Sequence, residues 1–459
     1  MSGPAATAEP PVDVLVRDVY VVTMDDAGTV FPDGAIAIRG GEVVEVGPER
    51  ELLARHRDAG RTIVGGGKIA IPGLTDAHFH TGQALMRGLL PELSRTRPLR
   101  IPVWREYLLP FESRLSPEDV YQSGLFGYGT MLLSGTTAFY EAGGQHPEQM
   151  ARAALDVGIR GIVGPYGRDG GGPRVPAFAV TDVETGIQQN VDIVEAFPPG
   201  QRVSGGMGLA QTATASPDLV TGVVAEARAR GVKVHMHLAE GTYEVDSCLE
   251  AYGKRPVQYM LDLDAFDQTM HFAHAVLVGP QEVDDFAAHG PTVAHCPTGN
   301  YSIGWPPVLD MARKGVPVGL GTDGPAVSGS LDLFRSAELA RVGQEMVYGT
   351  RIHTRFPARQ GEYLRMAVNG GAIAMGSGAG VLTAGAKADV VLLSVDNVDA
   401  AMYPTLEGYL YDAASARDVH TVLVDGEEVV RAGELLTVDL PAVVARGREI
   451  QARIAETLG

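Results

Sequence analysis

Hydrophobic and polar positions change rhythm twice along the chain. From Val14 to about Lys68 the apolar residues come in short runs, Val14–Val22, Ala35–Ile38 and Val43–Val46, punctuated by Asp-Asp, Pro-Asp-Gly and Gly-Gly turn signals, which predicts β-structure. The texture returns near the C-terminus. There Ala388–Leu393 and Val419–Val424 are apolar, and Asp425-Gly426 marks a hairpin into Glu428–Val430. Between Ile71 and Asp323 the pattern is different. Strands are predicted at Ile71–His78, Thr136–Tyr140, Gly161–Gly164, Val203–Leu209, Val232–Leu238, His271–Val276, Thr292–His295 and Val316–Gly321. Amphipathic segments separate them, such as Pro217–Arg230, with Ala, Val and Leu at helical spacing and Gly231 as a stop. Eight strands alternating with helices predict an α/β fold, a closed (β/α)8 TIM-like barrel, with a doubly wound open sheet as the alternative.

Composition narrows the class. The 459 residues are 45% hydrophobic and 20% charged, a core-forming balance. Lys+Arg 37 against Asp+Glu 56 gives a net charge of −19. With a pI near 5.0, no concentrated basic surface is predicted for a nucleic acid. No apolar run reaches the roughly 18 residues of a membrane span. Met1–Pro11 lacks the charged and apolar regions of a secretory signal. Cys248 and Cys296 alone make no disulfide framework. The expectation is a cytoplasmic enzyme with a small-molecule substrate, and neither a nucleic-acid nor a membrane partner.

The chemistry concentrates in histidine. His78, His80, His235, His237, His274 and His295 fall at or just past predicted strand ends. Residues i and i+2 of a strand share a face, so His78 and His80 project together, as do His235 and His237. A lone His at such a place usually satisfies a local hydrogen bond, but several at equivalent ends converge on the carboxyl mouth of a barrel, where such folds keep their chemistry. Asp323 ends another apolar strand. It is either a turn residue before Gly324 or an acid able to bind a metal and take a proton.

Pro72-Gly73-Leu74-Thr75-Asp76-Ala77-His78-Phe79-His80, with Met86-Arg87-Gly88 after it, resembles the first-strand signature of the amidohydrolase superfamily. His235-Met236-His237-Leu238-Ala239-Glu240, His271-Phe272-Ala273-His274, His295-Cys296-Pro297-Thr298-Gly299-Asn300 and Gly321-Thr322-Asp323-Gly324 follow in that family's order. The likeness is greatest to the branch of adenosylhomocysteine/methylthioadenosine, guanine and cytosine deaminases and triazine hydrolases. It implies a small β-sandwich domain built from both chain ends, over residues 13–70 and 380–440. A flexible tail over 1–12, a hydrolase barrel over 71–379 and a terminal helix over 441–459 complete the expected organisation. A homodimer or higher homo-oligomer is expected by analogy.

The same resemblance implies that His78, His80, His237 and Asp323 hold one divalent metal, zinc foremost and iron as the alternative. The two-metal members usually place a carboxylated Lys at the end of the strand read here as Val203–Leu209, which has none. His235, one pleat deeper than His237, reads as a packed residue. A bound metal lowers the pKa of water toward about 7. Asp323 would take that proton, Glu240 would protonate a ring nitrogen, and His274 would orient the attacking oxygen. The implied reaction is hydrolytic deamination of an amino-substituted nitrogen heterocycle (purine, nucleoside, pterin or pyrimidine-like) with release of ammonia. Hydrolysis of a halogenated triazine-like ring or cyclic amide is the alternative, and a non-catalytic scaffold a third. Glu112, in Leu109-Pro110-Phe111-Glu112, reads as a sugar or ring contact, or a solvated carboxylate. Trp104 stacks on a flat ligand or is a buried aromatic. Both belong to the long loop before a helix beginning near Ser116-Pro117. Arg168 and Arg174, in the Gly/Pro-rich loop from Gly164 to Phe178, contact an anionic group or are solvated. His295 is either a hydrogen-bonding residue at the barrel mouth or a structural one. Gly208-Leu209-Ala210-Gln211 lacks the Pro-His expected of nucleoside deaminases, and Ser328 and Gly329 stand where Asn is common.

Overall fold

The computed structural model describes residues 10–170 and 179–458. The N-terminal strands are β1 (Val14–Val22), β2 (Val30–Arg39), β3 (Glu42–Pro48) and β4 (Arg61–Pro72). The central strands are β5 (Leu74–Phe79), β6 (Thr136–Glu141), β7 (Arg160–Val163), β8 (Val203–Gly205), β9 (Met207–Gln211), β10 (Val234–Leu238), β11 (Met270–His274), β12 (Thr292–His295) and β13 (Val318–Leu320). The last are β14 (Val390–Leu393), β15 (Val419–Val424), β16 (Glu427–Arg431) and β17 (Glu434–Leu435). The fold is mixed α/β, with the central strands in two parallel sheets. One has the order β5-β6-β7-β8 and the other β13-β12-β11-β10-β9.

Two strands expected to be continuous change partners at a glycine. Ile71 and Pro72 belong to β4 and pair with β14, whereas Leu74 begins β5 beside β6. Between them Gly73 donates its N–H to the Asp389 carbonyl at 2.9 Å. A Cβ on Gly73 would lie 1.9 Å from Thr137 Oγ1, so only glycine fits the crossing. The run Val203–Leu209 likewise divides at Gly206, whose N–H reaches the Val163 carbonyl at 2.8 Å while the next N–H, of Met207, turns to Lys233 at 3.2 Å. Apolar runs report burial on both faces and are silent about which neighbour each half pairs with.

The two chain ends build one eight-stranded sheet, ordered β17-β16-β15-β14-β4-β1-β2-β3. Strands from both termini lie in this one ladder. Val14, Val16, Val21, Ile36, Ile38, Val390 and Leu392 form its core. Val12, just before β1, is also buried, and its carbonyl accepts from Gly60 N–H at 3.0 Å. Residues 1–9 of the expected tail lie outside the described residues.

Helices follow their caps. Pro217–Arg230 is helical as expected. Ser216 Oγ accepts from Leu219 N–H at 3.2 Å, and Gly231 takes φ 66° as the stop. Ser116 and Asp119 form a capping box on the helix Pro117–Leu133. The terminal helix Leu440–Ala455 packs on that helix through Arg453, which donates to Asp119 Oδ2 at 2.6 Å. Among the described residues no helix is long and apolar enough to cross a membrane.

A buried ion pair joins the terminal sheet to the central strands. Arg160, on β7, donates to both oxygens of Asp389 at 3.0 and 2.9 Å and also reaches Asp425. Asp389→Ala is expected to destabilise the fold by about 3–5 kcal/mol, since it leaves a buried guanidinium with half its partners. Denaturant unfolding measures this, and a loss below about 1 kcal/mol, the range of surface pairs, would contradict it.

Candidate active site

The carboxyl ends of the parallel strands carry the histidines. His78 on β5 is fully buried and His80 follows β5 directly. His237 near the end of β10 sends Nδ1 to the Ala210 carbonyl at 2.9 Å. A carbonyl only accepts, so the proton is on Nδ1 and the Nε2 lone pair is free. That Nε2 faces His80 Nε2 at 3.4 Å. Asp323, just past β13, places Oδ1 3.5 Å from His80 Nε2 and 3.6 Å from His78 Nε2. His78 Nε2 is buried without a hydrogen-bond partner. Ligands at about 2.1 Å from a common zinc ion lie roughly 3–3.5 Å apart, so these separations and this set of three nitrogens and a carboxylate suit a divalent metal.

Electrostatics agree with that use. Burial lowers His78 to about 3 and His80 to about 4, keeping both imidazoles neutral with a lone pair to give. Burial alone would raise Asp323, but His78, His274 and His80 hold it well below the usual carboxylate range. Glu240, in the turn after β10, moves the other way. Burial raises it and Asp323 adds to the rise, against the opposing pull of His274. The two acids of one site are thus shifted in opposite directions. His274 Nε2 lies 3.9 Å from Glu240 Oε1.

The backbone here is strained. Ala239, His274, Ala275 and Asp323 all have positive φ, at 50°, 76°, 47° and 61°, each costing about 1–3 kcal/mol. Cross-strand hydrogen bonds hold them, from Ala275 N–H to Leu238 O at 3.0 Å, Leu277 N–H to Ala239 O at 2.9 Å and Asp323 N–H to His78 O at 2.9 Å. None is a glycine, so composition gave no sign of these turns.

Residues 69–429 match the amidohydrolase family. The chain is 32% identical over 98% of its length to a 5-methylthioadenosine/S-adenosylhomocysteine deaminase of Nitratidesulfovibrio vulgaris, covering 99% of that protein. This chain belongs to the amidohydrolase family. Residues 34–59 of this amidohydrolase also match an imidazolonepropionase-like composite domain. It is 29% identical to a 5'-deoxyadenosine deaminase of Methanosarcina acetivorans, with 95% of this chain and 97% of that one covered. Among solved structures, a zinc-bound adenosine deaminase from Xanthomonas campestris superposes with TM-score 0.88 at 25% identity, covering 97% of this chain and 99% of that one. A zinc complex of atrazine chlorohydrolase from Arthrobacter aurescens shares the fold, with TM-score 0.84 at 24% identity and coverage of 95% and 100%.

In this amidohydrolase a cavity of about 940 Å³ opens over the cluster, and His80, His237, Glu240, His274 and Asp323 all line it. Trp104, Glu112 and Arg168 line the same space. The first two do not sit in an open loop. Trp104–Leu108 is a π-helical turn continued by the helix Leu109–Glu112, because Tyr107, Leu108, Leu109 and Phe111 bury one face. Trp104 packs beside Tyr243 with ring centroids 5.5 Å apart. Glu112 is pushed up to about 7 by burial, against the pull of Gln83 and Arg168. Arg168 is buried and not solvated; its guanidinium lies 4.7 Å from the Tyr166 ring centre, and its Nε has no partner. Arg174 lies outside the described residues.

His295 is the residue set apart. It is fully buried and absent from the cavity wall, with Nδ1 held by Asn300 Oδ1 at 2.9 Å. The same Asn300 amide meets His274. His235 packs where the pleat put it, with Nε2 3.0 Å from His78 Nδ1. Several supporting residues escaped sequence reasoning. Asp76 accepts from His78 N–H at 3.2 Å, Thr322 N–H at 3.0 Å and Thr322 Oγ1 at 2.5 Å, tying β5 to the segment after β13. Tyr166 Oη lies 3.2 Å from His237 Nδ1. Glu244, in the first turn of the helix Thr242–Tyr252, accepts from Glu240 N–H at 3.0 Å.

Proposed function

We propose that this amidohydrolase is a metal-dependent aminohydrolase that deaminates an amino-substituted nitrogen heterocycle and releases ammonia. The observation that carries this reading is a partly buried Glu240 whose pKa is raised, lining one cavity with His274, His80, His237 and Asp323. His78, His80, His237 and Asp323 would hold one divalent ion, zinc foremost and iron as the alternative. When bound, the ion supplies the Lewis acidity that makes water nucleophilic near neutral pH.

The protein's own groups handle the protons. Glu240, whose pKa is raised above the usual carboxylate value, gives a proton to the ring nitrogen as water adds to the adjacent carbon, so negative charge never accumulates on the ring. Asp323 takes a proton from the adding water and returns it to the exocyclic amino nitrogen. The carbon–nitrogen bond then breaks and ammonia leaves, while the new hydroxyl gives its remaining proton to the Glu240 carboxylate, forming the ring carbonyl and restoring the acid. His274 orients the adding oxygen. Trp104, Glu112 and Arg168 would bind the rest of the ligand. The deaminase names of the relatives at 29–32% identity support a purine nucleoside as first substrate to try. Gln211, on the cavity wall, would add a further polar contact to the ligand.

The finer architecture follows the same reading. The two parallel sheets close into one barrel, supported by the Asp323 N–H to His78 O bond between its outer strands. The terminal sheet folds as a β-sandwich, over the boundaries expected above. A homo-oligomer is supported by the exposed Trp305, Met346 and Phe356, and a cytoplasmic site of action is kept.

Ammonia release from a panel of aminopurines and their nucleosides, aminopyrimidines, pterins and triazines tests the proposal. Ammonia from at least one heterocycle is expected. Halide release from chlorotriazines with no ammonia from any amine would replace the proposal with the halide hydrolase. On the best substrate, Glu112→Gln is expected to raise KM by about tenfold with a smaller change in kcat, as for binding shared by ground and transition states. Unchanged kinetics would remove Glu112 from the site.

A further inference from the structure

Asn300 is fully buried in the short helix Pro297–Ile303 after β12, and its hydrogen bonds have only one consistent polarity. The backbone N–H of Cys296 can only donate, and its acceptor is Asn300 Oδ1 at 2.9 Å. His295 Nδ1 meets the same oxygen at 2.9 Å. Turning the amide over would set its NH2 against the Cys296 N–H, so the oxygen must stay where it is. The amide nitrogen therefore faces His274 Nδ1, at 2.9 Å. An amide NH2 has donors only, so Nδ1 of His274 accepts. A neutral imidazole with one accepting nitrogen carries its proton on the other.

Proximity by itself would allow a different role. His274 lies in one group with His78 and His237, and in another with Cys296 and Asp323, each with possible ligand atoms within 4.8 Å of one another. Either group could be read as a place for a second ion. A metal, however, needs the lone pair of Nε2, and hydrogen-bond polarity removes it.

We infer that Asn300 is a positioning residue that fixes the His274 proton on Nε2, making His274 a hydrogen-bond donor in the cavity and closing it to a second metal ion. The inference deepens the metal reading proposed above and rests on it. It assigns Asn300 no contact with substrate. Its effect passes through one hydrogen bond to His274, and the fixed end of that bond is a backbone amide four residues earlier in the chain.

The test uses the zinc-loaded enzyme with ¹⁵N-labelled histidine, the His274 signals being identified by their loss in His274→Gln. In the wild type, Nδ1 of His274 is expected in the unprotonated range and Nε2 as N–H. A proton on Nδ1 would overturn the inference. Asn300→Asp keeps the acceptor for Cys296 and His295 but cannot donate, so its His274 proton is expected to move to Nδ1. Equilibrium dialysis against excess zinc, followed by elemental analysis, should then show a second ion retained by Asn300→Asp and not by the wild type. The wild-type tautomer and stoichiometry in the variant would also overturn it. The wild-type spectrum decides the matter even if the variant does not fold. A wild type that takes up no zinc at all would instead overturn the metal reading, and the tautomer measurement would show it separately.

Discussion

Replacing His80 by Ala, or Asp323 by Asn, is expected to abolish turnover and metal retention together. The two side chains meet at 3.5 Å, with His78 3.6 Å from Asp323 and His237 3.4 Å from His80, and no other described carboxylate is grouped with those histidines as a possible ligand. Even an outer residue that only orients a ligand costs about 10–100-fold in metal affinity, so a lost ligand should cost more. Asn is the informative change at Asp323 because that residue has φ 61°, a conformation Asn tolerates and Ala resists. The variant removes the charge while sparing the turn. Elemental analysis after dialysis, with a thermal melt to show that the fold persists, checks the result. Full metal content in either variant would show that the ion is held elsewhere. His235→Ala provides the contrast, since it touches His78 from behind and should disturb packing while metal is retained.

Glu240→Gln is expected to lower kcat by about 10²–10⁴, the range for a lost general acid, with metal content and KM nearly unchanged. Gln keeps the shape and can still donate a hydrogen bond to the ring nitrogen, but it cannot transfer the proton. The position of Glu240 does not depend on that proton, because its backbone N–H is held by Glu244 at 3.0 Å and the strained turn at Ala239 is held by Leu277. The loss should therefore fall on the chemical step. Steady-state kinetics on the best substrate of the panel, beside elemental analysis, measures both halves. A near-wild-type kcat would overturn ring protonation by Glu240 and favour a hydrolase whose leaving group needs no protonated ring, such as a halide or an activated amide.

The sequence by itself determined the local elements and most of the chemistry they carry. The two-residue spacing of His78 with His80 and of His235 with His237 needs only the pleat of a strand, and the helix Pro217–Arg230 needs only its apolar spacing, its Ser216 cap and its Gly231 stop. These signals are written in neighbouring residues, so one stretch of chain suffices to read them. Where the central strands change partners was decided in three dimensions. Gly73 and Gly206 look like ordinary residues of apolar runs until Thr137 and Ile162 crowd the places where their Cβ atoms would be. Tertiary structure also decided which histidine does what. His237 turns Nε2 toward His80 because Ala210, 27 residues earlier, accepts from its other nitrogen, and His295 is turned away by Asn300. The polarity of His274 likewise depends on Asn300, from the next strand–helix unit. A periodic pattern records which side of an element is buried. It carries no record of which nitrogen holds a proton, because that depends on a donor or acceptor brought alongside only when distant segments pack.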